Sequence, residues 1–392
     1  MEARGSFNLD TLLHTKFTDT ELFSEAANHK RKYGYYCDAP FKSKKYVDYW
    51  QEQKDRCLNG FTNPKTGVKI TGYHYFFLNF KKLQILTDTS KDTIESDRME
   101  DFPRFWAIHF HFLWAVEEAK RAGKHLCLLK PRGTGFSELF SSMGARDYTL
   151  KEKWRSFYFV SNEGFLNKDG IVTKAWENLE FLNSETERAF RHLRQAKNQD
   201  LHRRASKIDP KTGNEEWTGG EIIGRIIDDP NKVRGARGNV YFEEGGSFPK
   251  VDAAWNMTRP LVEQGGIAWA MIILWGTGGE QGKGIQGLDD IFRSPLAYNC
   301  LPFDNCWDEQ IGKDHGFFFP VWACMDKYMD KDGNPDFNAG KEHHEKERRQ
   351  SRKNPGTRHP AAARNHHAKQ ACGHERSGIR PADAATDPPP VH

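Results

Sequence analysis

The feature that most restricts the fold is a short apolar run that leads through a glycine-bearing turn into a helical pattern. Residues 126–130 read LCLLK, the turn reads PRGTGFS, and ELFSSMGARDYTL follows with helical spacing. A strand, a glycine turn and a helix in this order form the layout of a phosphate-binding loop, because the backbone N–H groups at a helix start attract anions. The segment therefore predicts an α/β fold.

Other apolar runs extend this prediction along the chain. SFYFVSN (156–162), EIIGRIID (221–228), NVYFE (239–243) and IAWAMIILWG (267–276) are strand candidates, with helical patterns between several of them. Such an alternation indicates a mostly parallel sheet that is covered on both faces. We predict this domain over residues 121–337.

Residues 1–120 mix two kinds of pattern and predict an N-terminal α+β extension that packs on the sheet. ITGYHYFFLNF follows the turn signal NPKTG and is interpreted as strand and turn. FPRFWAIHFHFLWAVEEAKRAGKH has apolar residues at helical spacing, and Gly123 stands where a helix C-cap belongs. This second stretch predicts a buried helix that leads into the strand at 126.

Composition excludes several classes of protein. Seven cysteines are scattered without a C-x-x-C motif, which favours a reduced intracellular protein. The longest apolar run, 267–275, is shorter than the roughly 20 residues of a membrane span, and the N-terminus shows no secretion signal. The first 337 residues hold 47 Lys/Arg and 48 Asp/Glu, so any contact with nucleic acid requires local patches or a partner.

Residues 338–392 differ from the rest of the chain. They contain no Phe, Trp, Tyr, Leu or Met and hold seven of the sixteen histidines. Such a segment has too little apolar surface for a core of its own. We interpret it as a disordered or frame-shifted tail, and the abrupt change of composition favours a shifted reading frame over a natural tail.

The turn at 131–137 departs from the standard phosphate-loop pattern G-x-x-x-x-G-K-[ST]. Aligned on Gly135 and Ser137, the chain has Lys130 in place of the first glycine and Phe136 in place of the lysine. Positive charge is still available at Lys130 and Arg132, and either can neutralise a β- or γ-phosphate. Taken alone, the segment also fits a plain strand-to-helix turn. We predict that nucleotide is bound by Lys130, Gly133, Thr134, Gly135 and Ser137, with Arg132 in a catalytic role.

Two further apolar strands end in groups suited to ATP hydrolysis. NVYFEEGG at 239–246 ends in two carboxylates, and successive residues at a strand end point in different directions. We expect Glu243 to join Ser137 in binding Mg²⁺, and Glu244 to act as the catalytic base for the attacking water. WGTGG at 275–279 offers Thr277 and Gly278 as coupling residues that sense the γ-phosphate. Taken alone, the two motifs also fit an acidic turn and a glycine-rich loop.

A basic segment, KVRGARG, precedes the carboxylate strand. Its Lys232, Arg234 and Arg237 alternate with small residues, which fits a DNA-facing loop or a charge supplied in trans to a neighbouring subunit's nucleotide. A solvated basic loop is the third interpretation. Because ligands of open α/β sheets bind at the carboxyl ends of strands, the phosphate loop, the carboxylates and Thr277 are expected to share one site.

LLKPRGTGFSE, VRGARGNVYFEEGGSFP and ILWGTGG together resemble three motifs of the ATPase domain of phage terminase large subunits. In that family the usual loop lysine can be replaced while an upstream Lys or Arg takes over its charge. ITGYHYFFLNF is similar to the region that contacts the adenine side of the nucleotide in that family. The resemblance spans about residues 65–325.

The resemblance implies a P-loop NTPase of the additional-strand, catalytic-glutamate class that uses ATP and Mg²⁺. It implies a motor subunit that translocates double-stranded DNA into a prohead, with the portal protein and the small terminase subunit as partners. A homo-oligomeric ring is expected, in the host cytoplasm and transiently at the prohead portal, with no membrane. The family also carries a C-terminal nuclease, and here the aromatic-free segment begins where that domain would start, so we expect a motor truncated before the nuclease domain, with no nuclease activity.

Two other functions fit part of the pattern. A helicase shares the phosphate loop and the carboxylate pair, but no helicase motif is apparent between Gly279 and Asn338. A catalytically dead nucleotide-binding fold with a structural role would account for the missing loop lysine.

Overall fold

The computed structural model describes residues 15–86, 98–166, 169–187, 189–190, 201–277, 283–305, 307 and 314–353. The α-helices of these residues are α1 (Glu25–Tyr33), α2 (Lys44–Asn59), α3 (Gly72–Phe80), α4 (Ala107–Ala122), α5 (Phe136–Leu150), α6 (Ile171–Glu185), α7 (Val251–Val262), α8 (Lys283–Arg293) and α9 (Phe337–Lys353). The strands are β1 (Phe61–Thr62), β2 (Lys69–Ile70), β3 (Leu83–Leu86), β4 (Arg98–Asp101), β5 (Leu126–Leu129), β6 (Arg155–Val160), β7 (His202–Ile208), β8 (Glu215–Ile226), β9 (Asn239–Phe242), β10 (Glu263–Gln264), β11 (Ile267–Ala268), β12 (Ile272–Gly276) and β13 (Phe317–Phe318).

Seven strands form the central sheet, in the order β13-β5-β12-β9-β6-β8-β7. Neighbouring strands are parallel except for β7, which pairs antiparallel with β8. Although β12 follows β9 in the chain, it lies between β5 and β9, and its Leu274 is paired with Cys127 on one side and Phe242 on the other. The predicted mostly parallel α/β sheet is confirmed, and the carboxyl ends of β5, β12 and β9 lie side by side.

Alternation along β12 shows why both faces of the sheet are apolar. Ile273 and Trp275 belong to a cluster that includes residues of α4 and α5, whereas Ile272 and Leu274 belong to a second cluster that includes residues of α7. Successive residues of a strand point to opposite faces, so a strand that is buried on both sides is apolar throughout. The helices therefore cover the sheet from both sides, as the sequence predicts.

The predicted helix before β5 is confirmed as α4. Gly123 caps its end with φ 62, in the left-handed region that glycine enters without steric cost, and its N–H lies near the carbonyls of Ala119 and Lys120. None of the helices among the described residues is both long and apolar enough to span a membrane.

The segment ITGYHYFFLNF differs from its prediction as strand and turn, because residues 72–80 form α3. The hydroxyl of Thr71 accepts a hydrogen bond from the N–H of His74 at 3.2 Å and so caps the helix. Every residue of α3 is buried, and the helix packs between α2 and α5. A helix that is apolar all round has no amphipathic period, so its aromatic content imitates a strand.

The C-terminal segment also differs from its prediction, because residues 338–353 continue α9. A Cβ atom on Gly340 would lie 2.2 Å from the carbonyl oxygen of Trp322, so the helix lies directly on that residue. His344 is buried as well. The segment lacks aromatic residues of its own, but the preceding chain supplies the apolar surface on which it packs. The rest of the predicted tail, 354–392, lies outside the described residues.

A buried charge network joins the N-terminal extension to the sheet. Asp147 of α5 is fully buried and accepts from Arg146 at 2.6 Å, Lys151 at 3.0 Å, the Tyr73 hydroxyl at 3.1 Å and the Asn239 amide at 3.1 Å. Burial raises the pKa of Asp147, but the charges of Lys151 and Arg146 outweigh it and hold the pKa below its ordinary value. Tyr73 lies in α3 and Asn239 begins β9, so one carboxylate ties three elements together.

Asp147→Asn is expected to lower the free energy of unfolding by about 3 kcal/mol, because Arg146 then keeps its charge in a buried site without an anionic partner. Urea unfolding followed by tryptophan fluorescence measures the change. The exposed control Asp48→Asn is expected to change it by less than about 0.5 kcal/mol. Equal midpoints for the two variants would contradict the role given to Asp147.

Candidate active site

The turn between β5 and α5 has the backbone form of an anion-binding loop. Gly133 and Gly135 have φ 75 and φ 72, in the left-handed region, and α5 begins directly after Gly135. A side chain at either position would strain the backbone, which explains why glycine occurs twice in three residues. The first N–H groups of α5 have no partner within the helix and are available to phosphate oxygens.

His109 of α4 holds this loop in place. Its Nε2 lies 2.8 Å from the carbonyl oxygen of Thr134. Burial lowers the pKa of His109 to about 4, so the neutral ring donates its Nε2–H to that carbonyl. Trp106 stacks on the same ring with centroids 5.5 Å apart. His109 was not predicted from the sequence, since a histidine inside an apolar helix carries no local sign of the loop it contacts.

Phe136, at the position of the usual loop lysine, is part of the core. It is buried and makes edge contacts with the rings of His109 and Phe112 at 5.2 Å. The loop charge must therefore come from another residue, as the sequence analysis expected.

Lys130 supplies positive charge from the other end of the loop, at the end of β5, whereas the usual lysine would stand at position 136. Its backbone N–H donates to the carbonyl of Gly276 at 3.1 Å, which continues the pairing of β5 with β12 by one residue. Its side chain is largely buried, and Nζ lies 3.1 Å from Oε1 of Glu244. Two of the predicted site residues, from the ends of β5 and β9, are thus in direct contact.

Glu244 is held from a third strand end as well. Its Oε2 accepts hydrogen bonds from the N–H of Thr277 at 3.2 Å and from the Thr277 hydroxyl at 3.0 Å. Glu244 has φ 52, a left-handed conformation that is uncommon for a residue other than glycine and that tends to occur at functional sites. The phosphate loop, the carboxylate strand and the predicted coupling residue Thr277 therefore meet at one carboxylate.

Glu243 occupies a different environment from its neighbour. The Ser137 hydroxyl donates to Oε1 of Glu243 at 2.7 Å, and Oε2 is buried without a hydrogen-bond partner among the described residues. Burial raises the pKa of Glu243 to about 7, and the charge of Glu244 adds to this effect. An unpaired oxygen beside a serine hydroxyl fits a divalent cation.

This donor set suits Mg²⁺ in particular. Mg²⁺ usually takes one or two protein oxygens and completes its coordination with waters and substrate phosphates. No cluster of three or more His, Cys, Asp or Glu side chains forms a metal site within the described part of the chain. Ser137 and Glu243 supply two protein oxygens of the kind that such a coordination uses.

A partly buried cluster of opposite charges begins one residue beyond Ser137. Glu138 pairs with Lys81 at 3.0 Å and with Lys174 at 2.8 Å, and the charge of Lys174 also lowers the pKa of Glu243. The sequence analysis did not find the two lysines, because they come from the end of α3 and from α6, far apart along the chain.

A cleft of about 1440 Å³ opens beside the loop. Its wall includes Gly133, Gly135, Lys174, Trp106 and, from α3, Phe77. The volume accommodates a nucleotide, and Gly133 and Gly135 of the loop form part of its wall, whereas Lys130, Glu243 and Glu244 do not line it. From the segment that resembles an adenine-contacting region, Phe77 reaches this cleft.

The remaining predicted residues lie elsewhere. Arg132 is exposed on the loop, and Gly278 lies outside the described residues. Lys232, Arg234 and Arg237 are exposed on the segment that runs from the end of β8 to the start of β9. Arg237 precedes the amino end of β9, whereas Glu243 and Glu244 follow its carboxyl end.

Comparison with known proteins gives a distant likeness in fold. Neither a protein-family model nor a curated protein matches the sequence. A solved point mutant of the large terminase ATPase domain of Thermus phage P74-26 is similar with TM-score 0.41 and 13% identity, covering 59% of this chain and 85% of that one. Another structure of that domain gives TM-score 0.37 and 15% identity, covering 58% and 82%. Any function assigned to this chain therefore rests on its own residues.

The free energy of unfolding of Glu243→Gln, relative to that of the wild type, is expected to rise with pH. Because the pKa of Glu243 is raised from 4.5 to about 7, the wild type loses stability as pH rises through 7, whereas glutamine does not ionise. The relative gain between about pH 5 and about pH 9 is expected to be about 2 kcal/mol. Urea unfolding at both pH values measures it, with the exposed Glu152→Gln as control. A gain of the same size in both variants would show that Glu243 is not the titrating group.

Proposed function

We propose that the chain is the ATP-hydrolysing subunit of a phage-type DNA-packaging motor. The observation that carries the ATPase assignment is the contact of Glu244 with both Lys130 and Thr277, beside the Ser137–Glu243 pair. A cation, a base, a metal-binding pair and a polar sensor are the groups that phosphoryl transfer to water requires. The position of β12 between β5 and β9 supports the additional-strand class of P-loop NTPase.

In this proposal Glu244 positions and deprotonates the attacking water. In the structure, Lys130 contacts Oε1 of Glu244 and Thr277 contacts Oε2. A γ-phosphate would compete for Lys130, because a phosphate dianion attracts an ammonium more strongly than one carboxylate does. With Lys130 drawn to the phosphate, Oε1 of Glu244 would face the attacking water, which would link catalysis to binding.

Ser137 and Glu243 would hold Mg²⁺, which when bound neutralises charge on the β- and γ-phosphates. Glu243 must be ionised for this role. Because burial raises its pKa to about 7, Glu243 would give up its proton on binding the cation, and the buried site would not hold a lone negative charge. Lys174, 2.8 Å from Glu138, lies close enough to influence Glu243 and adds positive potential on the cleft side.

The DNA-packaging role rests on the motif resemblance of the sequence. On that basis the substrate to be moved is double-stranded DNA, and the partners are the portal protein and the small terminase subunit. Lys232, Arg234 and Arg237 are exposed, as a DNA-facing or trans-acting loop in a homo-oligomeric ring requires. The chain would work in the host cytoplasm and at the prohead portal.

A dead nucleotide-binding fold is the second candidate, and the buried Phe136 is the observation that favours it. The two candidates differ in turnover. An active site predicts hydrolysis that depends on Glu244, whereas a dead fold predicts none.

Glu244→Gln is expected to bind MgATP as tightly as the wild type and to lose about 10²–10⁴-fold in turnover, because the amide cannot accept a proton from water. Calorimetric titration measures binding, and phosphate release measures turnover. Absence of binding and turnover in the wild type would reject the ATPase assignment and leave the structural role.

Lys130→Ala and Arg132→Ala distinguish the two candidate cations. Lys130 faces Glu244 from a buried position, whereas Arg132 is exposed. We expect Lys130→Ala to lower turnover by about 10²-fold or more, and Arg132→Ala to have a much smaller effect. The exposed Lys250→Ala serves as control. Equal loss in the two loop variants would show that Lys130 is not the main phosphate cation.

A further inference from the structure

We propose that the outer surface of the N-terminal segment binds single-stranded nucleic acid. The site, termed the Tyr–Lys surface, consists of Lys32, Tyr33, Tyr35, Lys42, Lys44 and Lys45, all exposed. It shares no residue with the candidate active site at the carboxyl ends of β5, β9 and β12, which is termed the strand-end site and includes Lys130, Glu244 and Thr277. Nucleic-acid binding at the Tyr–Lys surface does not depend on ATP hydrolysis.

Two aromatic rings of this surface face outward with a shared orientation. Tyr33 is 48% exposed and Tyr35 is 41% exposed. Their rings are stacked with centroids 6.1 Å apart and 27° between the planes, and the ring of His29 contacts both at 4.7 and 5.5 Å. Exposed, pre-oriented aromatic faces are the platforms on which unpaired bases stack.

The segment that carries these rings is rich in basic residues. Residues 30–45 contain six Lys or Arg and a single acidic residue, Asp38, whereas the first 337 residues as a whole hold 47 Lys/Arg and 48 Asp/Glu. Lys30 and Arg31 pair with Glu185 and Asp101 at 2.8 and 2.7 Å. The other four lysines of the segment belong to the Tyr–Lys surface and give it the charge that a phosphate backbone requires.

The aromatic and basic parts lie next to each other in space. Glu187 joins them, since its Oε1 lies 3.3 Å from the N–H of Tyr36 and its carbonyl oxygen accepts from the Tyr46 hydroxyl at 2.6 Å. The rings of Tyr36 and Tyr46 also pack on the same residue, Trp50, at 5.7 and 6.3 Å. The chain on either side of Asp38 is therefore held together through Trp50 and Glu187, and Tyr35 and Lys45 are the sequence neighbours of the two tyrosines that make these contacts.

Lys42, Lys44 and Lys45 lie at positions where a lysine does not stabilise the start of a helix. Lys44 and Lys45 are the first two residues of α2, where the helix dipole disfavours positive side chains. Lys42 has φ 65, which a lysine rarely adopts. An anionic ligand at this helix start would be attracted by the lysines and by the dipole together.

The aromatic rings decide between single and double strands. In a duplex the faces of the bases are covered by their neighbours, so only phosphates would reach the lysines. A single strand offers both its phosphates and its base faces, and therefore uses both parts of the surface.

Fluorescence anisotropy with the full chain and a labelled oligothymidylate of about 20 nucleotides, longer than typical single-strand sites, tests the proposal. Tyr33→Ala combined with Tyr35→Ala is expected to weaken binding about tenfold or more, since base stacking on aromatic rings is lost. Lys42→Gln, Lys44→Gln and Lys45→Gln together are expected to reduce the slope of log affinity against log salt by about 2, measured from about 50 to about 200 mM salt.

Matched controls change the same chemistry elsewhere. Trp269→Ala removes an aromatic residue that is 48% exposed on the β10–β11 hairpin, and Lys327→Gln, Lys331→Gln and Lys346→Gln remove three exposed lysines. Both are expected to bind like the wild type. Circular dichroism checks the folding of each variant, and the lysine variant decides the test if the tyrosine variant does not fold.

Three outcomes would overturn the proposal. The first is a wild type that does not bind the oligothymidylate. The second is an equal loss of binding in the surface variants and their controls. The third is tighter binding of a duplex that is unaffected by the tyrosine substitutions. The test measures nucleic-acid binding and not ATP hydrolysis. A failure to bind the oligothymidylate would therefore leave the ATPase assignment untouched, and an inactive ATPase would not explain a failure to bind.

Discussion

The parallel pairing of β12 with both β5 and β9 is the constraint on which the candidate site depends. It places three strand ends side by side, and the N–H of Lys130 continues the ladder onto Gly276. Lys130, Glu244 and Thr277 then lie within hydrogen-bond distance without any long loop to position them. Groups on rigid strand ends keep their geometry when substrate enters, which is what electrostatic catalysis requires.

The two adjacent glutamates illustrate how environment divides similar groups into different roles. Glu243 is buried beside Ser137 with one oxygen unpaired and a raised pKa, whereas Glu244 faces a lysine and a threonine. In the proposed mechanism one carboxylate would bind a cation and the other would accept a proton from water. The backbone conformation of one residue contributes to these different environments. Glu244 has a left-handed conformation, and its side chain has different partners from that of Glu243.

The N-terminal extension belongs to the same structural unit as the sheet. Tyr73 shares the buried Asp147 with the start of β9, and His109 fixes the loop through Thr134. Apolar residues of the extension and the sheet form one cluster, so a shift of the extension would reach the phosphate loop through packed side chains. The Tyr–Lys surface is carried by this extension, which offers a physical connection between a surface ligand and the strand-end site.

The sequence by itself determined the elements whose signals are local. The strand at 126, the helix that ends at Gly123, the glycine turn and the order of the three motifs all follow from periodicity and from backbone conformations that glycine alone adopts easily. The tertiary structure alone decided the features that depend on distant parts of the chain. α3 is a helix because it is enclosed on all sides, α9 is a helix that packs on Trp322, and His109, Lys81 and Lys174 reach the loop region from separate elements. No local pattern records such contacts, because burial and pairing between residues far apart in sequence arise only when the chain is packed.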